Sequence, residues 1–355
     1  MKLVHRYILR ELLVSMAVSI PVLNFVLMME KIMKLSRILS SVGASPREMF
    51  SIILYTQPEL LLVTIPMAFL LSVLYTYGKM NADNELMIVK ASGMPFRQAA
   101  IPAFVLGMLC IIIGLFVSFR LEPAGKRAVR TSVSATLEKR APGAIEPGVF
   151  NLIIKDVVVY AREKTDDRLD GLFIYDQRKP DRPVVIYAGS GQVTGAPQLG
   201  GLLFRLKNGL VHIARGSRLI EIFFGDYNLV LPLSLEEPAM FLGELTPGEL
   251  LAQARTMPGE PGISRWLELY RRITFPLFNL AVMLLAPVLA LYSGKRARLG
   301  GLAMGTMVFS AYYIALSYSE RLADSGKVPP AVGGWSPLVL FLIISWLLFL
   351  RADKR

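Results

Sequence analysis

The sequence has little cysteine and little charge. Among its 355 residues there is one cysteine, Cys110, which excludes an intrachain disulfide and argues against a metal cluster held by thiolates. Charged residues make up 19% of the chain and hydrophobic residues 54%, whereas a water-soluble domain carries about 25% charge. This composition excludes a disordered chain, a collagen and a small disulfide scaffold. It predicts an integral membrane protein.

Enzyme motifs are also missing. The sequence contains no GxxxxGK(S/T) phosphate loop, no GxSxG nucleophile elbow and no HExxH zinc motif. Gly189-Ser190-Gly191 is interpreted as a turn between strands, and His212 as a structural residue of a strand. The apolar segments carry no paired carboxylates, which proton-driven transporters use. We therefore predict a chain that is not an enzyme, binds no metal and no cofactor, and takes its energy from a partner.

Six stretches contain no Asp, Glu, Lys or Arg and are long enough to cross about 30 Å of hydrocarbon at about 1.5 Å per residue. They are Leu12–Met29, Leu60–Tyr77, Gln98–Phe119, Ile273–Ser293, Leu299–Ser319 and Val332–Leu350. An earlier start of the second stretch would place Glu59 at membrane depth, where a carboxylate is costly unless it is paired. The pattern predicts six transmembrane helices.

The basic residues of the short loops predict the orientation. With the N-terminus inside, twelve Lys and Arg residues lie on the cytoplasmic side and six on the opposite side, as the positive-inside rule requires. Both termini are therefore predicted inside, and the long segment that begins at Arg120 outside. The chain divides into a first transmembrane part (1–120), an outer domain (121–262) and a second transmembrane part (263–355).

The outer domain is predicted to be mostly β. After a helix over Glu122–Arg140 that extends the third span, apolar runs rich in β-branched and aromatic residues alternate with turn residues such as Asn208-Gly209. The runs are Phe150–Ala161, Leu169–Tyr175, Pro183–Ala188, Leu202–Ala214 and Leu219–Leu231. Such spacing favours an antiparallel sandwich or roll. Thr246-Pro247-Gly248-Glu249 then predicts a capping box that opens a helix to about Arg255.

The loop between the second and third spans carries the first candidate site. Residues 82–92 are predicted to form a short helix that Asn81 or Asp83 caps, with Glu85 in its first turn, and Gly93 ends it. One interpretation is an interfacial helix that only turns the chain. The other is a docking helix that offers the Glu85 carboxylate to a soluble partner.

Two further groups of residues lie where the predicted spans reach the non-cytoplasmic surface of the membrane. Lys31, Lys34 and Arg37 share one helix face if the first helix continues, and they fit either headgroup anchoring or a site for an anionic ligand, since phosphates attract clustered cations. In the segment from Arg265 to Arg272, aromatic residues at helical spacing fit an interface belt, and Arg271 and Arg272 are interpreted as anchors there.

Several motifs resemble the lipopolysaccharide-export permease family LptF/LptG, and the resemblance covers nearly the whole chain. Its most specific parts are Pro58-Glu59-Leu60, Ile65-Pro66, Tyr77-Gly78-Lys79, Asn84-Glu85-Leu86 and Lys90-Ala91-Ser92-Gly93-Met94. The opening Arg6-Tyr7-Ile8-Leu9-Arg10-Glu11 and the segment Glu268-Leu269-Tyr270-Arg271-Arg272-Ile273-Thr274 resemble the LptF branch more than the LptG branch.

The resemblance implies a fold class and a function. The fold is a membrane α-helical protein with six transmembrane helices and an inserted extracytoplasmic all-β, jellyroll-like domain. The function is that of the permease subunit of an ABC transporter, which extracts lipopolysaccharide from the outer leaflet of the Gram-negative inner membrane and passes it to a periplasmic bridge. The implied partners are the other permease of the pair, a dimer of the cytoplasmic ATPase LptB, and LptC, with no nucleic acid.

By similarity, Glu85 falls on the acid that couples the permease to its ATPase, and Lys31 and Lys34 fall on basic residues that meet the glycolipid phosphates. Arg37 has no assigned counterpart, but it joins the candidate lipopolysaccharide site because it follows on the same helix face. A different class stays open, namely a membrane scaffold or a lipoprotein-release type of permease whose outer domain only docks other proteins. Copurification with an ATPase and ligand-dependent ATP turnover would separate these classes.

Overall fold

The fold was obtained as a computed structural model of the chain. The structure describes residues 2–41, 45–140, 145–154, 157–165, 168–178, 183–196, 201–215, 218–232, 239–257, 259–292 and 297–353. Within these ranges the side chains of several helix and strand ends, including residues 34–41, 134–140 and 297–302, are outside the description.

In the described part of the chain, helices come before and after one β-sheet in the sequence. Before the sheet they are α1 (Lys2–Ser41), α2 (Pro46–Ala82), α3 (Glu85–Ala91), α4 (Phe96–Ala99), α5 (Ile101–Phe116), a π-helical turn (Val117–Leu121) and α6 (Glu122–Arg140). After the sheet they are α7 (Ala239–Glu244), α8 (Pro247–Thr256), α9 (Glu260–Tyr292), α10 (Ala297–Asp324) and α11 (Pro330–Asp353). The predicted helix over Glu122–Arg140 and the predicted capping box at Thr246 are both present.

Five helices in the described part of the chain are long and apolar enough to cross a membrane. They are α1, α2, the continuous helix from α5 into α6, α9 and α11. The remaining predicted span, Leu299–Ser319, lies inside α10, a helix of 28 residues whose first side chains are not described. The membrane helical fold with an inserted β domain is confirmed.

The chain forms two compact units. The transmembrane unit comprises residues 1–29, 57–125 and 241–355, and the sheet unit comprises residues 30–56 and 126–240. In the sheet unit, Met49 and Ile52 of α2 pack against Val129 and Val133 of α6. The predicted division into 1–120, 121–262 and 263–355 stays a prediction. In the compact units, the end of α1 and the first turns of α2 group with the sheet.

Aromatic and small residues fill the core of the transmembrane unit. Phe278 stacks on Tyr312 with 3.9 Å between ring centroids. Glycines let helices approach closely: a Cβ atom on Gly107 would lie 2.9 Å from the ring of Phe69. Association of helices within lipid depends on such tight packing, because lipid tails are as apolar as the side chains themselves.

The sheet unit is built on one six-stranded antiparallel meander. The strands are β1 (Phe150–Ile154), β2 (Val157–Thr165), β3 (Arg168–Asp176), β4 (Val184–Ala196), β5 (Gly201–Arg215) and β6 (Arg218–Pro232). Each strand pairs with its neighbour in the chain, in the order β1 to β6. The predicted run Phe150–Ala161 is therefore wrong as a single strand, because it contains β1 and most of β2, which pair antiparallel with each other.

The strand register skips one residue in each of the strands β2 to β6, and these residues form a line across the sheet. The pairs Leu172–Ala188–Gly209–Phe224 lie on one side of the line and the pairs Asp170–Ser190–Lys207–Asp226 on the other. The residues between these pairs are Arg162, Gly171, Gly189, Asn208 and Gly225, one from each of the strands β2 to β6. Glycine and left-handed residues suit such a line, and Gly171 (φ 62°) and Asn208 (φ 53°) are both left-handed.

At this line the alternation of buried and exposed residues shifts by one position, so each strand has opposite faces directed to the core before and after it. In β4 the buried residues are Ile186 and Ala188 before the line and Gly191 and Val193 after it, so the spacing of two is broken by a spacing of three. Residues from both sides nevertheless belong to one core cluster. The meander therefore bends over a single core, as in sheets whose corners are made by bulges. The predicted turns at Asn208-Gly209 and Gly189-Ser190-Gly191 are wrong, because both lie inside strands at this bend.

Candidate functional site

The short helix α3 forms between α2 and α5, where the sequence predicts a helix over residues 82–92. Its N-cap is Asn84, which is left-handed (φ 60°) and makes no side-chain cap hydrogen bond, so the predicted capping by Asn81 or Asp83 is wrong. Asn81 instead donates to the carbonyl oxygen of Leu291 in α9 (3.2 Å). The predicted end of the helix is confirmed, because Gly93 is left-handed (φ 86°).

The first turns of α1 hold this region by polar contacts. The Tyr7 hydroxyl donates to the Glu85 carboxylate (3.4 Å), and Lys79 Nζ lies 3.3 Å from Glu11 Oε2. The ring nitrogen Nε2 of His5 lies 2.9 Å from the carbonyl oxygen of Gln98. Glu85 is therefore positioned from α1, although it remains half-exposed.

The exposed face of α3 carries apolar side chains next to Glu85. Leu86 is buried in the transmembrane core, whereas Met87 and Ile88 are each 68% exposed. Two large apolar side chains side by side on an exposed helix are typical of a protein contact surface. Sequence reasoning singled out Glu85 and missed this pair. The available signal was four consecutive apolar residues, from Leu86 to Val89, on a helix too short to bury all of them.

The end of α11 packs against α4, which follows α3 in the chain. Phe349 contacts Phe96 with ring centroids 5.8 Å apart, and Asp353 accepts a hydrogen bond from the backbone N–H of Arg97 (3.2 Å). Lys90 Nζ lies 5.6 Å from the centre of the Phe96 ring. An open recess of about 240 Å³ is lined by Lys90, Gly93, Met94, Pro95, Phe96, Ala352 and Asp353. The C-terminal helix therefore supports the segment that follows α3.

The basic residues of the second candidate site lie near the end of α1. Because α1 continues to Ser41, the backbone places Lys31, Lys34 and Arg37 along one helix face, as predicted. Lys31 is half-buried and Met33 is 55% exposed. The side chains of Lys34 and Arg37 lie outside the described residues. Their role as a ligand site stays a prediction.

The segment from Arg265 to Arg272 differs from its predicted role as an interface anchor. Trp266 stacks on Tyr270 with ring centroids 5.6 Å apart, which fits the predicted aromatic belt. Arg272 is not an anchor at the surface, because its side chain is only 2% exposed and pairs with the buried Glu268 (3.1 Å). Arg271 also pairs with Glu268 but is 47% exposed.

Among the described residues no group of three His, Cys, Asp or Glu side chains could hold a metal ion. His212 lies in β5 beside Glu221 of β6, with 3.2 Å between its Nδ1 and a carboxylate oxygen, and its ring meets Tyr187 edge-on. These contacts fit the predicted structural role of His212.

Comparison with known proteins gives one consistent result. The model of the family described as "Lipopolysaccharide export system permease LptF/LptG" matches residues 6–351. The chain is 23% identical over 358 residues to the lipopolysaccharide export system permease protein LptF of Escherichia coli K12, with 97% of this chain and 93% of that protein covered. It is also 23% identical to an uncharacterized protein, RP871, of Rickettsia prowazekii, over 81% of both chains.

Proposed function

We propose a function for this chain from one premise: it belongs to the lipopolysaccharide export system permease LptF/LptG family. The chain is then a multi-pass permease of lipopolysaccharide export. In the full proposal it draws lipopolysaccharide from the outer leaflet of the inner membrane and passes it to a periplasmic bridge. ATP hydrolysis by a separate cytoplasmic subunit drives the transfer.

The observation that carries this proposal is the extent of the family match, from residue 6 to residue 351. It includes the transmembrane helices, α3 and the whole six-stranded sheet, so the match covers each part of the chain to which the proposal gives a role. The relatives are only 23% identical, and the proposal therefore rests on the family and the architecture rather than on any one relative.

The α3 surface supports an ATPase partner. We propose that Glu85, with the exposed Met87 and Ile88 beside it, docks into the cytoplasmic ATPase LptB. In such a surface the buried apolar groups supply binding energy, and the charge pair fixes the orientation of the two proteins. Two copies of LptB would serve this chain and the other permease of the pair.

The end of α1 supports recognition of an anionic group. Lys31, Lys34 and Arg37 follow one another along a continuous helix directly after its apolar part. Ammonium and guanidinium groups bind phosphate oxygens through charge-assisted hydrogen bonds. We propose that they meet the phosphates of lipopolysaccharide as it leaves the outer leaflet, with the other permease and LptC completing the complex.

Affinity purification of the tagged full chain in mild detergent tests the proposal. We expect a second permease, an ATPase of the ABC type and bound lipopolysaccharide to copurify, and ATP turnover of the complex to respond to added lipopolysaccharide. A parallel purification of an unrelated multi-pass inner-membrane protein with the same tag controls for lipopolysaccharide carried by detergent micelles. Recovery of the chain without an ATPase, or ATP turnover indifferent to lipopolysaccharide, would contradict the proposal and favour a scaffold.

A further inference from the structure

A buried arginine stands at the end of the transmembrane unit where the chain leaves for the sheet and returns from it. The side chain of Arg272 in α9 is 2% exposed. Its Nε donates to Glu268 (3.1 Å), and its terminal nitrogens donate to the carbonyl oxygens of Leu242, Gly243 and Leu245. A buried guanidinium is costly unless its donors are satisfied, so this set of partners explains how the charge is tolerated.

The three carbonyl groups belong to the return connection. Leu242 and Gly243 lie in α7, and Leu245 follows it, between the end of β6 at Pro232 and the start of α8. The last carbonyl groups of a helix lack partners within the helix. Arg272 supplies donors for them, and a cation at this end also suits the helix dipole. The return connection is therefore fixed to α9 through one side chain.

The backbone of the same residue is joined to the outgoing connection. Residue 276 is proline, which has no N–H, so the carbonyl oxygen of Arg272 lacks its usual helical donor. The hydroxyl of Ser118 donates to this oxygen instead (3.0 Å). Ser118 lies in the π-helical turn between α5 and α6, and such turns are frequent at functional positions.

Close packing makes this second contact possible. A Cβ atom on Gly114 in α5 would lie 3.1 Å from the Pro276 side chain, so a larger residue would push α5 away from α9 at this level. The outgoing helix and the return segment are thus both fastened to Arg272, the first through its carbonyl oxygen and the second through its guanidinium.

We propose that Arg272 is a positioning residue for transfer of the cargo, holding both connections of the sheet in one geometry at the end of the transmembrane helices. The inference rests on the proposed function, in which a glycolipid moves from the helices to the sheet. Loss of the geometry should leave entry of the glycolipid into the helical region intact and impair its arrival at the sheet.

Arg272→Lys is the informative change, because it keeps the charge but cannot reproduce a guanidinium's several directed donors. Arg271→Lys is its matched control, because the neighbouring arginine also pairs with Glu268, whereas the described hydrogen bonds to the return connection all come from Arg272. Ser118→Ala removes the other contact while leaving every charge in place. Each variant is studied in the assembled complex, with photo-reactive residues placed at Phe25 in α1 or at Phe224 in β6.

We expect Arg272→Lys and Ser118→Ala to assemble and to crosslink lipopolysaccharide at Phe25 as the wild type does. Crosslinking at Phe224 should fall on the order of tenfold in both variants, which corresponds to a modest coupling between sites. Arg271→Lys should keep the wild-type ratio of the two signals. An unchanged ratio, or equal losses at both positions, would overturn the positioning role. If Arg272→Lys fails to assemble, Ser118→Ala decides alone. Absence of crosslinking in the wild type would instead contradict the proposed function.

Discussion

Glu85 combines a half-exposed carboxylate with a contact from Tyr7 that fixes its direction. If it pairs with a cation of the ATPase in a desolvated contact, Glu85→Ala should weaken assembly by about 2–5 kcal/mol, because the partner charge stays buried and unpaired. The measurement is the amount of ATPase that copurifies with the permease, together with transport per ATP hydrolysed.

Asp83→Ala is a suitable control for this change, since Asp83 is an exposed acid just before α3. We expect it to copurify with the ATPase as the wild type does. Normal assembly and transport by Glu85→Ala would show that α3 only turns the chain.

Substitutions of Lys31 and Lys34 distinguish two roles of positive charge at a membrane surface, namely headgroup anchoring and phosphate binding. Headgroup anchoring needs only net charge, so Lys31→Glu alone would then be compensated by the neighbouring cations. A phosphate site predicts that Lys31→Glu with Lys34→Glu keeps assembly and basal ATP hydrolysis but reduces lipopolysaccharide binding, at about 1–3 kcal/mol per lost charged contact before screening by salt. Photo-crosslinking from the exposed Met33 measures this binding. Unchanged crosslinking in the assembled double variant would return the lysines to anchoring.

Residues whose role depends on one long-range partner were the hardest to interpret from the sequence. Arg272 follows an aromatic pair at helical spacing, and this local pattern is typical of a membrane interface. Its burial depends on carbonyl groups about 30 positions earlier in the chain, which no local pattern reveals. Glu85 and Lys31 could be proposed as candidates from the sequence, because charge next to an apolar run is itself a local signal.

At the level of elements, helices followed from the sequence more completely than strands. Long apolar runs indicate membrane helices because every backbone group must be satisfied inside lipid, and a helix does this locally. Strand boundaries failed in two ways. One apolar run contained two strands, β1 and β2, which pair antiparallel with each other, and Asn208-Gly209 formed a bend within β5 instead of a turn. Both outcomes depend on pairing with other strands.

The bend in the sheet leads to a prediction about glycine. A Cβ atom on Gly209 would lie 2.0 Å from the carbonyl oxygen of Tyr187 and 2.5 Å from the Phe224 ring, and neither the backbone nor the packed ring can easily move. Gly209→Ala should therefore destabilise the sheet by about 3 kcal/mol, the upper range for overpacking. Gly225 lies on the same line, but a Cβ atom there would meet no other atom within 4 Å, so Gly225→Ala is the matched control.

Thermal unfolding of the purified full chain in detergent tests this pair of variants. We expect a clearly lower midpoint for Gly209→Ala and a midpoint near wild type for Gly225→Ala. Equal midpoints for the two variants would show that the strands do not approach each other so closely at Gly209.

For the molecule as a whole, the two compact units and the family match describe a membrane protein with an inserted sheet. Composition indicated the membrane class, because 54% hydrophobic residues is more, and 19% charged residues is less, than soluble domains usually carry. The grouping of residues 30–56 with the sheet unit was not foreseen. It depends on Met49 and Ile52 packing against α6, a contact between segments about 80 residues apart.

The orientation of the whole chain is a prediction that two single cysteines can test. The predicted inner loops and termini carry twelve Lys and Arg residues against six outside, which places α3 in the cytoplasm and the sheet outside. Asp83 and Asp226 are both exposed, so a difference in their labelling reports the membrane and not burial in the protein. Cys110 is 1% exposed and should give little background. In sealed spheroplasts an impermeant thiol reagent should label Asp226→Cys at once and Asp83→Cys only after permeabilisation, whereas labelling of Asp83→Cys in sealed cells would reverse the orientation and with it the assignment of α3 to an ATPase.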